Sequence, residues 1–544
     1  MAVVSFDVKE LEDLTGKKLS SDLLENKIPM MGCEFEGLEN GNVDYEIFPN
    51  RPDLLSVEGF ARALRYFLGL DEGVETYKTT KSGQSLEIDK TVDPVRPCIS
   101  AAIVKNMSMD DSVLKSLMQV QEKIHKTFGR ERRKIAIGIH DFDCIEGPFT
   151  YKAVDPKKVE FIPLQSTERM DLREIGRKHP KGKYTEILKN HDKWPVIVDK
   201  NDEVLSFPPV INGKLTEVTE DTENIFIDVT GTDQRSVDHA LSIISTLFWE
   251  RNGSIETVTV NGKEKPDLDP EEMAVDINYV NKLLDLELSE KEFAELIRGM
   301  GFGYSDGKVR IPPYRTDIMH PMDIVEDVGI SYGYSNFEVR IPDVPGVGKQ
   351  QKVEEFSEKV KELIIGFGFQ EVKTTVLTNY EKQFLKMERE REEVTEMENP
   401  LSGDYKICRK YLLPGLMEVI RQNQHRSYPQ KVFEIGDIVK IDKDKDVGTE
   451  NRRKLGALIS NDNVNYSNLA SVVSSLMDIL GKKPKIKRHK SGTYLENRAG
   501  KFVLGDKEIG TVGEIHPKVL ENWGIEKPVV AFELDLDLIR KNKS

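Results

Sequence analysis

"PYRTDIMHPMDIVEDVGISYGY", residues 313–334, gathers four acids around one arginine. Asp317 stands in an extended lead-in, and Asp323, Glu326 and Asp327 follow His320-Pro321. Pro321 suits the first turn of a helix, where its missing N–H would have no intrahelical partner. Positions 323, 326 and 327 then have i, i+3, i+4 spacing and share one helix face. Three carboxylates on one face repel each other unless a positive charge lies nearby, and Asp317 can join them from the preceding strand. Clustered hard oxygen donors suit Mg²⁺, which keeps several waters and takes few protein carboxylates. A plainer reading also stands: acids in a first helical turn interact well with the helix dipole, by about 0.3–1 kcal/mol each.

The surrounding chain has 544 residues, enough for about three to five domains. Apolar residues make up 38% and charged residues 32%, as in a soluble globular protein. No run of about 18 apolar residues occurs, so no membrane span is expected. The N-terminal "MAVVSFDVKELEDL" turns acidic at once, unlike a secretory signal. Cys33, Cys98, Cys144 and Cys408 form no C-x-x-C pair. Neither a zinc site nor a disulfide framework is expected, and a reducing cytoplasm is the expected location. The net charge of −16 argues against a protein that coats nucleic acid with its whole surface. It leaves room for local contacts at residues 130–134, 177–183 and 485–490, although each basic cluster alone reads as a solvated face.

Working outward, residues 45–70 place Leu55, Phe60, Leu64, Phe67 and Leu68 near helical spacing, opened by residues 50–53 and closed by Gly69. The polar stretch 78–90 reads as a boundary. Residues 94–260 mix strands ("ISAAIVKNM", "KIAIGIHDFD") with helices ("SVLKSLMQVQEKIHKTF", "SVDHALSIISTLFWER"). Asn212-Gly213, between apolar residues, is a two-residue hairpin signal. Residues 261–272 read as a linker and 342–350 as a separator. The expected architecture is multidomain α+β. It comprises an N-terminal α+β domain (1–80), a larger α+β domain (91–262), a small helix-rich acidic domain (268–343) and an antiparallel sheet with helices (350–544).

Four stretches carry a family resemblance: "YRTDIMHPMDIVEDVGISYGYSNF", "YEIFPNRPDLLSVEGFARALRYFLG", "NPLSGDYKICRKYLLPGLMEVIRQN" and "FEIGDIV". Together they resemble the β subunit of phenylalanine–tRNA ligase in its archaeal and eukaryotic cytosolic form, in the expected order along essentially the whole chain. The resemblance implies a Mg²⁺ site, shared with an α subunit, at Asp317, Asp323, Glu326 and Asp327. At the last position many relatives carry Glu. It also implies an assembly of two α and two β chains. ATP and phenylalanine would bind mainly on α, and phenylalanine tRNA would be the nucleic-acid partner. Bacterial-type relatives carry a further C-terminal RNA-binding module, for which this chain is expected to be too short.

The last domain resembles the class II synthetase fold, whose active members place an arginine on the ATP α-phosphate. Here the corresponding stretch is "FEIG", Phe433–Gly436, with Glu434 where phosphate needs a cation. At about 4 Å and an effective dielectric near 20, exchanging attraction for repulsion moves the energy by about 8 kcal/mol. No Gly-rich segment ending in Arg and no P-loop is present. The domain is therefore expected to be catalytically silent, with the synthetic site on α. Arg409, in "CRKYLLPGL", is the rival ATP ligand, though a salt bridge is the expected use.

The resemblance assigns to the larger α+β domain the hydrolysis of tyrosine wrongly attached to phenylalanine tRNA. A largely apolar pocket for phenylalanine cannot strongly exclude the same ring with one added hydroxyl, so a second pocket must select the error. In "NIFIDVTGTD", Ile225, Ile227 and Val229 face one way and Phe226, Asp228 and Thr230 the other. Asp228 and Thr230 beside an aromatic ring suit a tyrosine-recognising pocket; the alternative is an exposed sheet face, or a helix cap after Gly231. Asn212, Ser206 and His140 are further editing candidates, each with a structural alternative as hairpin turn, loop residue or buried histidine. No nucleophile–base arrangement follows from spacing, which favours positioned water with help from the substrate. Two other readings stay open: a ligase acting alone, and a non-editing RNA-binding structural subunit.

Overall fold

The computed structural model describes residues 2–541 apart from 342 and 345, two prolines of the expected separator. The chain divides into two compact units, Met1–Ile341 and Pro342–Ser544. Among the described residues no helix is long and apolar enough to cross a membrane.

The first unit begins with an antiparallel sheet of three strands, Ala2–Asp7, Asn42–Ile47 and Cys33–Glu39 in spatial order. A helix, Val57–Phe67, packs on it. Pro52–Leu54 forms only a short 3₁₀ turn, and the α-helix starts after Ser56, whose hydroxyl accepts from the Gly59 N–H. The cap sits later than the expected 50–53 opening because Ser56 supplies the side-chain acceptor that the first turn needs. Phe60 is fully buried, stacks on Tyr45 at 5.1 Å and meets Phe6 at a tilt at 4.9 Å.

The polar stretch 78–90 is not a boundary. Thr79–Ile88 is a strand inside a ten-stranded sheet, parallel to both Ser254–Val260 and Phe149–Val154. Its alternation of polar and half-buried residues reads as loop, yet neighbours on both sides supply the backbone partners that override the pattern. The expected linker 261–272 likewise contributes Lys263–Lys265 to that sheet, and Glu271–Ala274 to the next. The strand Ile225–Gly231 lies between Cys98–Lys105 and Ile135–Asp141, antiparallel to both, and all seven of its residues are buried. Ile225, Ile227 and Val229 enter one core with the helix Gln234–Trp249, while Phe226 enters another with Phe149 and Tyr151. An exposed sheet face is thereby excluded. The core beneath Ile227 also contains Val4, Tyr45 and Phe60, so the N-terminal segment and the central sheet share one hydrophobic interior.

Asn212-Gly213 is not the hairpin turn. Ser206 pairs with Asn212 and Phe207 with Ile211, so the chain reverses at residues 208–210. Gly213 has φ −76°, outside the left-handed region that such a turn requires. Its missing side chain serves a close approach instead: a Cβ there would stand 2.7 Å from the Val204 carbonyl oxygen.

The rest of the first unit has three strands as well as helices, Glu271–Ala274, Lys308–Ile311 and Gly303–Ser305 in spatial order. The acidic helix runs Pro321–Tyr332 with Pro321 in its first turn. The second unit is a seven-stranded sheet, antiparallel except where Gln370–Glu371 runs parallel to Gln430–Ile441. Helices Lys352–Gly366 and Tyr466–Ile479 cover one face, and Leu413–Gln422 and Pro517–Trp523 pack on the other.

Truncating Phe60 to alanine should destabilise the first unit by about 3–5 kcal/mol. Because the core is shared, probes in residues 1–68 and in the central sheet should lose structure in one transition on urea denaturation. Separate transitions would contradict the shared interior.

Candidate functional site

Ser206, Asn212, Asp228 and Thr230 line one cavity of about 500 Å³ in the central sheet. Three strands bring them there. Asp228 and Thr230 project from the strand Ile225–Gly231, and Ser206 and Asn212 face each other across Val204–Phe207 and Ile211–Asn212. Asn212 donates to the Ile139 carbonyl at 3.1 Å, and its side-chain oxygen accepts from the Ser206 hydroxyl at 3.3 Å. Asn212 is therefore held by a strand of the same sheet rather than spent on a turn, and Ser206 is a buried strand residue, not a loop residue.

His140 lies beneath this cavity, fully buried. Its Nε2 meets Asp228 Oδ2 at 2.8 Å and its Nδ1 meets Thr216 Oγ1 at 2.7 Å. The chain Thr216–His140–Asp228 has the distances of a catalytic triad in an order that does not serve nucleophilic attack. Thr216 is 1% exposed and does not line the cavity; Asp228 does. A nucleophile must reach its substrate, so the imidazole here orients a carboxylate. Room for the pair comes from Gly138, opposite Asp228 in the ladder, where a Cβ would stand 1.9 Å from Asp228 Oδ2 and 2.7 Å from His140 Nε2. Arg96 fixes Thr230 by donating to its hydroxyl at 3.0 Å and to its carbonyl at 2.7 Å. His125, also on the cavity wall, accepts from the Ile137 N–H at 2.8 Å. Burial, reinforced by Arg132 and Arg96, drives its pKa well below the ordinary value, so the ring is neutral. Thr216, Gly138 and Arg96 were not found by sequence reasoning, since their partners lie tens of residues away and no local pattern marks them.

Asp317, Asp323, Glu326 and Asp327 line a second cavity of about 580 Å³, with Arg51, Arg315 and Lys134. Three of the four acids already have partners. Arg315 grips Asp317 at 2.9 and 2.7 Å and reaches Asp327 at 2.6 Å, all three being buried or nearly so. Asp323 accepts at Oδ2 from the Met319 and His320 N–H groups, each at 2.8 Å. Glu326 is exposed. Burial alone would raise Asp317, but the Arg315 charge and hydrogen bonds outweigh it and hold the carboxyl below the usual range. At Asp327 burial prevails over the pull of Arg315, and the carboxyl stands above that range. Among the described residues, the one group of acids with converging oxygens is Glu34, Glu36 and Glu46, not these four. As arranged here, the four do not converge on an ion. The cation among them is Arg315, the single base of the opening stretch; one arginine amid four acids was the available signal.

In the second unit, Glu434, Gly456 and Glu533 form one row across three neighbouring strands. Arg409 Nη1 pairs with Glu434 Oε1 at 2.7 Å, both side chains buried, and Thr374 donates to Glu434 Oε2 at 2.6 Å. Gly436 leaves space for that guanidinium, because a Cβ would meet Arg409 Nη2 at 2.3 Å. Glu533 accepts from the N–H groups of Leu412 and Leu413 at 2.8 and 3.1 Å and from Lys454 at 2.7 Å. Two carboxylates thus occupy this face, and the segment Leu412–Leu413 is bonded across it. Arg409 is committed to a salt bridge and is not free to hold phosphate.

Three family models match in chain order: the B3/4 domain over residues 108–255, the tRNA synthetase B5 domain over residues 273–334, and the phenylalanyl tRNA synthetase beta chain CLM domain over residues 338–536. Their order defines a modular chain of the aminoacyl-tRNA synthetase class. A phenylalanine–tRNA ligase beta subunit of Archaeoglobus fulgidus is 42% identical over 548 residues, spanning 98% of each chain. That of Pyrococcus horikoshii is 40% identical over the same length, with 98% of each covered. The crystal structure of an N-terminal fragment of the Pyrococcus horikoshii beta subunit superposes with a TM-score of 0.58 at 39% identity, covering 61% of this chain and 99% of the fragment. The chain belongs to the phenylalanine–tRNA ligase beta subunit family.

Replacing Arg409 with methionine should cost about 3–5 kcal/mol, because it strands a buried carboxylate; chemical denaturation of the second unit measures it. Burial raises Glu533, but Lys454 and Arg389 outweigh it and leave the folded pKa below the usual glutamate value. The stability this adds is present above the unfolded pKa of about 4.3 and is lost as pH falls through the folded value. Glu533→Gln should flatten the acid limb of the stability–pH curve for this unit.

Proposed function

We propose that this chain is the β subunit of a phenylalanine–tRNA ligase complex. It supports ATP-dependent attachment of phenylalanine to tRNA by an α subunit, and it hydrolyses tyrosine wrongly attached to that tRNA. One observation carries the editing reading: Asp228, held from behind by His140, converges with Thr230, Ser206 and Asn212 on a single cavity. A tyrosine hydroxyl entering that cavity finds Asp228 as acceptor. Phenylalanine in the same place would leave the buried carboxylate facing a ring edge with nothing to donate, at a cost of about 1–3 kcal/mol. No side chain lining the cavity has the paired base that a nucleophile needs. Ser206 has Asn212 for its partner, and His140 is committed to Asp228 and Thr216. Hydrolysis then proceeds by attack of a positioned water on the ester carbonyl. The vicinal ribose hydroxyl of the tRNA assists, and Asn212 and Ser206 serve as the fixed polar groups that orient water.

The row Glu434–Gly456–Glu533, covered by Leu412–Leu413, supports assigning ligation to α. The acidic cavity is the proposed place for a Mg²⁺ shared with α. Glu326 is the exposed carboxylate available to take it, Asp323 would add the oxygen not used by the Met319 and His320 N–H groups, and Asp317 and Asp327 are those that Arg315 must first release. When bound, the ion would supply positive charge to this face, and no step of the hydrolysis passes through it.

The test uses the purified complex with α. Asp228→Ala should abolish hydrolysis of Tyr-tRNA, by about 100-fold or more if it holds the reacting ester in place, while phenylalanine attachment persists. Unchanged Tyr-tRNA hydrolysis would remove Asp228 from the site, whereas no Tyr-tRNA hydrolysis by the wild-type complex would favour a non-editing structural subunit. His140→Asn should lower discrimination between Tyr-tRNA and Phe-tRNA hydrolysis more than overall stability. Glu326→Gln should weaken Mn²⁺ binding by about tenfold or more, read by electron paramagnetic resonance.

A further inference from the structure

The outer strand of the second unit, Lys485–Arg488, is exposed at every residue. Among the described residues it pairs only with Tyr494–Leu504 and forms one edge of the seven-stranded sheet. Residues 482–490, "KKPKIKRHK", hold six Lys or Arg and no acid, in a chain whose acids outnumber its bases by 94 to 78. Such an excess of acid should supply partners for surface cations, and along the following strand it does. Lys501 pairs with Glu508 at 2.9 Å and Arg498 approaches Glu514 at 3.8 Å. Within the cluster Lys490 reaches Glu496 at 3.3 Å, whereas Lys483, Lys485, Lys487 and Arg488 pair with no acid among the described residues.

Edge protection accounts for part of this. A charged side chain or two on an outer strand discourages pairing with another chain. It does not account for the arrangement across the ladder, where Lys487 stands directly opposite Lys501. Like charges directly opposite each other destabilise a sheet. A strand that needed only a soluble edge could have carried glutamates, and these would have complemented Lys501. Lys501 has its acid in Glu508, so the basic run gains nothing from the sheet that carries it, and its unpaired cations are left for use in binding. Its geometry fits an extended anionic chain: alternate residues of a strand stand about 6.6 Å apart along a straight line, Lys485 and Lys487 on one face and Arg488 on the other. Half-exposed Ile486 between them offers an apolar contact to a sugar or base.

We propose that this edge is a docking surface for the tRNA backbone. The proposal rests on the reading of the chain as a tRNA ligase subunit, and it adds a contact in a unit whose sheet face is closed to nucleotide. Phosphates would be held by the unpaired cations, which position the tRNA without reading its sequence.

The experiment compares the complex with α carrying wild-type β against one carrying Lys485→Gln, Lys487→Gln and Arg488→Gln. All three positions are exposed, and thermal melting checks that folding is unchanged. Binding of a phenylalanine tRNA transcript is measured by fluorescence anisotropy across a KCl series. The triple variant should bind about tenfold or more weakly near 0.1 M salt, and its slope of log K against log[salt] should be shallower by about 2–3, near 0.9 per lost phosphate contact. Equal affinity and slope in the two complexes would overturn the proposal. So would loss of heparin binding without loss of tRNA binding, or loss of association with α at unchanged tRNA affinity, which would assign the edge to an acidic protein surface. Failure of the wild-type complex to bind the transcript would instead reject the ligase reading.

Discussion

Charge withdrawn from water must find its opposite, and the architecture of this chain is organised around a few such pairings. A buried ionic pair broken on one side costs about 3–5 kcal/mol, because the remaining charge has no solvent. Asp228 has His140, Asp317 and Asp327 have Arg315, Glu434 has Arg409, and Glu533 has Lys454 with two backbone donors. Apart from Arg315 and Asp317, which are two residues apart, the pairs join residues at least 12 positions apart in the chain. The pairings therefore do two things at once: they tie strands and loops together, and they decide which carboxylates remain available to a ligand.

The consequences differ between sites. In the central sheet the imidazole takes one oxygen of Asp228 from behind and leaves the carboxylate at the cavity wall, so pairing prepares the group for recognition. At the acidic helix the guanidinium takes Asp317 on both oxygens, and pairing withholds ligands. In the second unit the pairs place two carboxylates on the sheet face, with Gly436 and Gly456 providing the space that lets Arg409 and Leu412 approach. One physical rule yields a poised acceptor, a pair of acids held by arginine and an acid-bearing sheet face, depending on which partner reaches the carboxylate and from which side.

Much of this was legible in the sequence where the signal is local. The alternation of Ile225, Ile227 and Val229 against Phe226, Asp228 and Thr230 divides two cores as read. Pro321 opens its helix, and Arg409 is used in a salt bridge, with Glu434. What escaped was settled by distant neighbours. Thr79–Ile88 has the composition of a loop and is a strand because two other strands bond it. Asn212-Gly213 has the composition of a turn, yet its asparagine is drawn to the Ile139 carbonyl and its glycine to the Val204 carbonyl. Asp323, Glu326 and Asp327 lie on the helix Pro321–Tyr332 as expected, whereas Asp317 lies in a turn and not in an extended strand, because the preceding strand ends at Ile311. A metal at these acids is what the resemblance implies; in the structure Arg315, two residues before Asp317, pairs with Asp317 and Asp327.

Gly138 shows how narrow the margin is. The hydrogen atom it presents to Asp228 is the sole substituent that fits, since a methyl carbon would stand 1.9 Å from a carboxylate oxygen. A one-base change in its codon to alanine would leave the outside of the molecule untouched while pushing apart the two groups beneath. If the cavity proofreads, such an allele would pass through growth screens that demand charged tRNA. Its trace would be found in the proteome, as tyrosine scattered through positions encoded for phenylalanine.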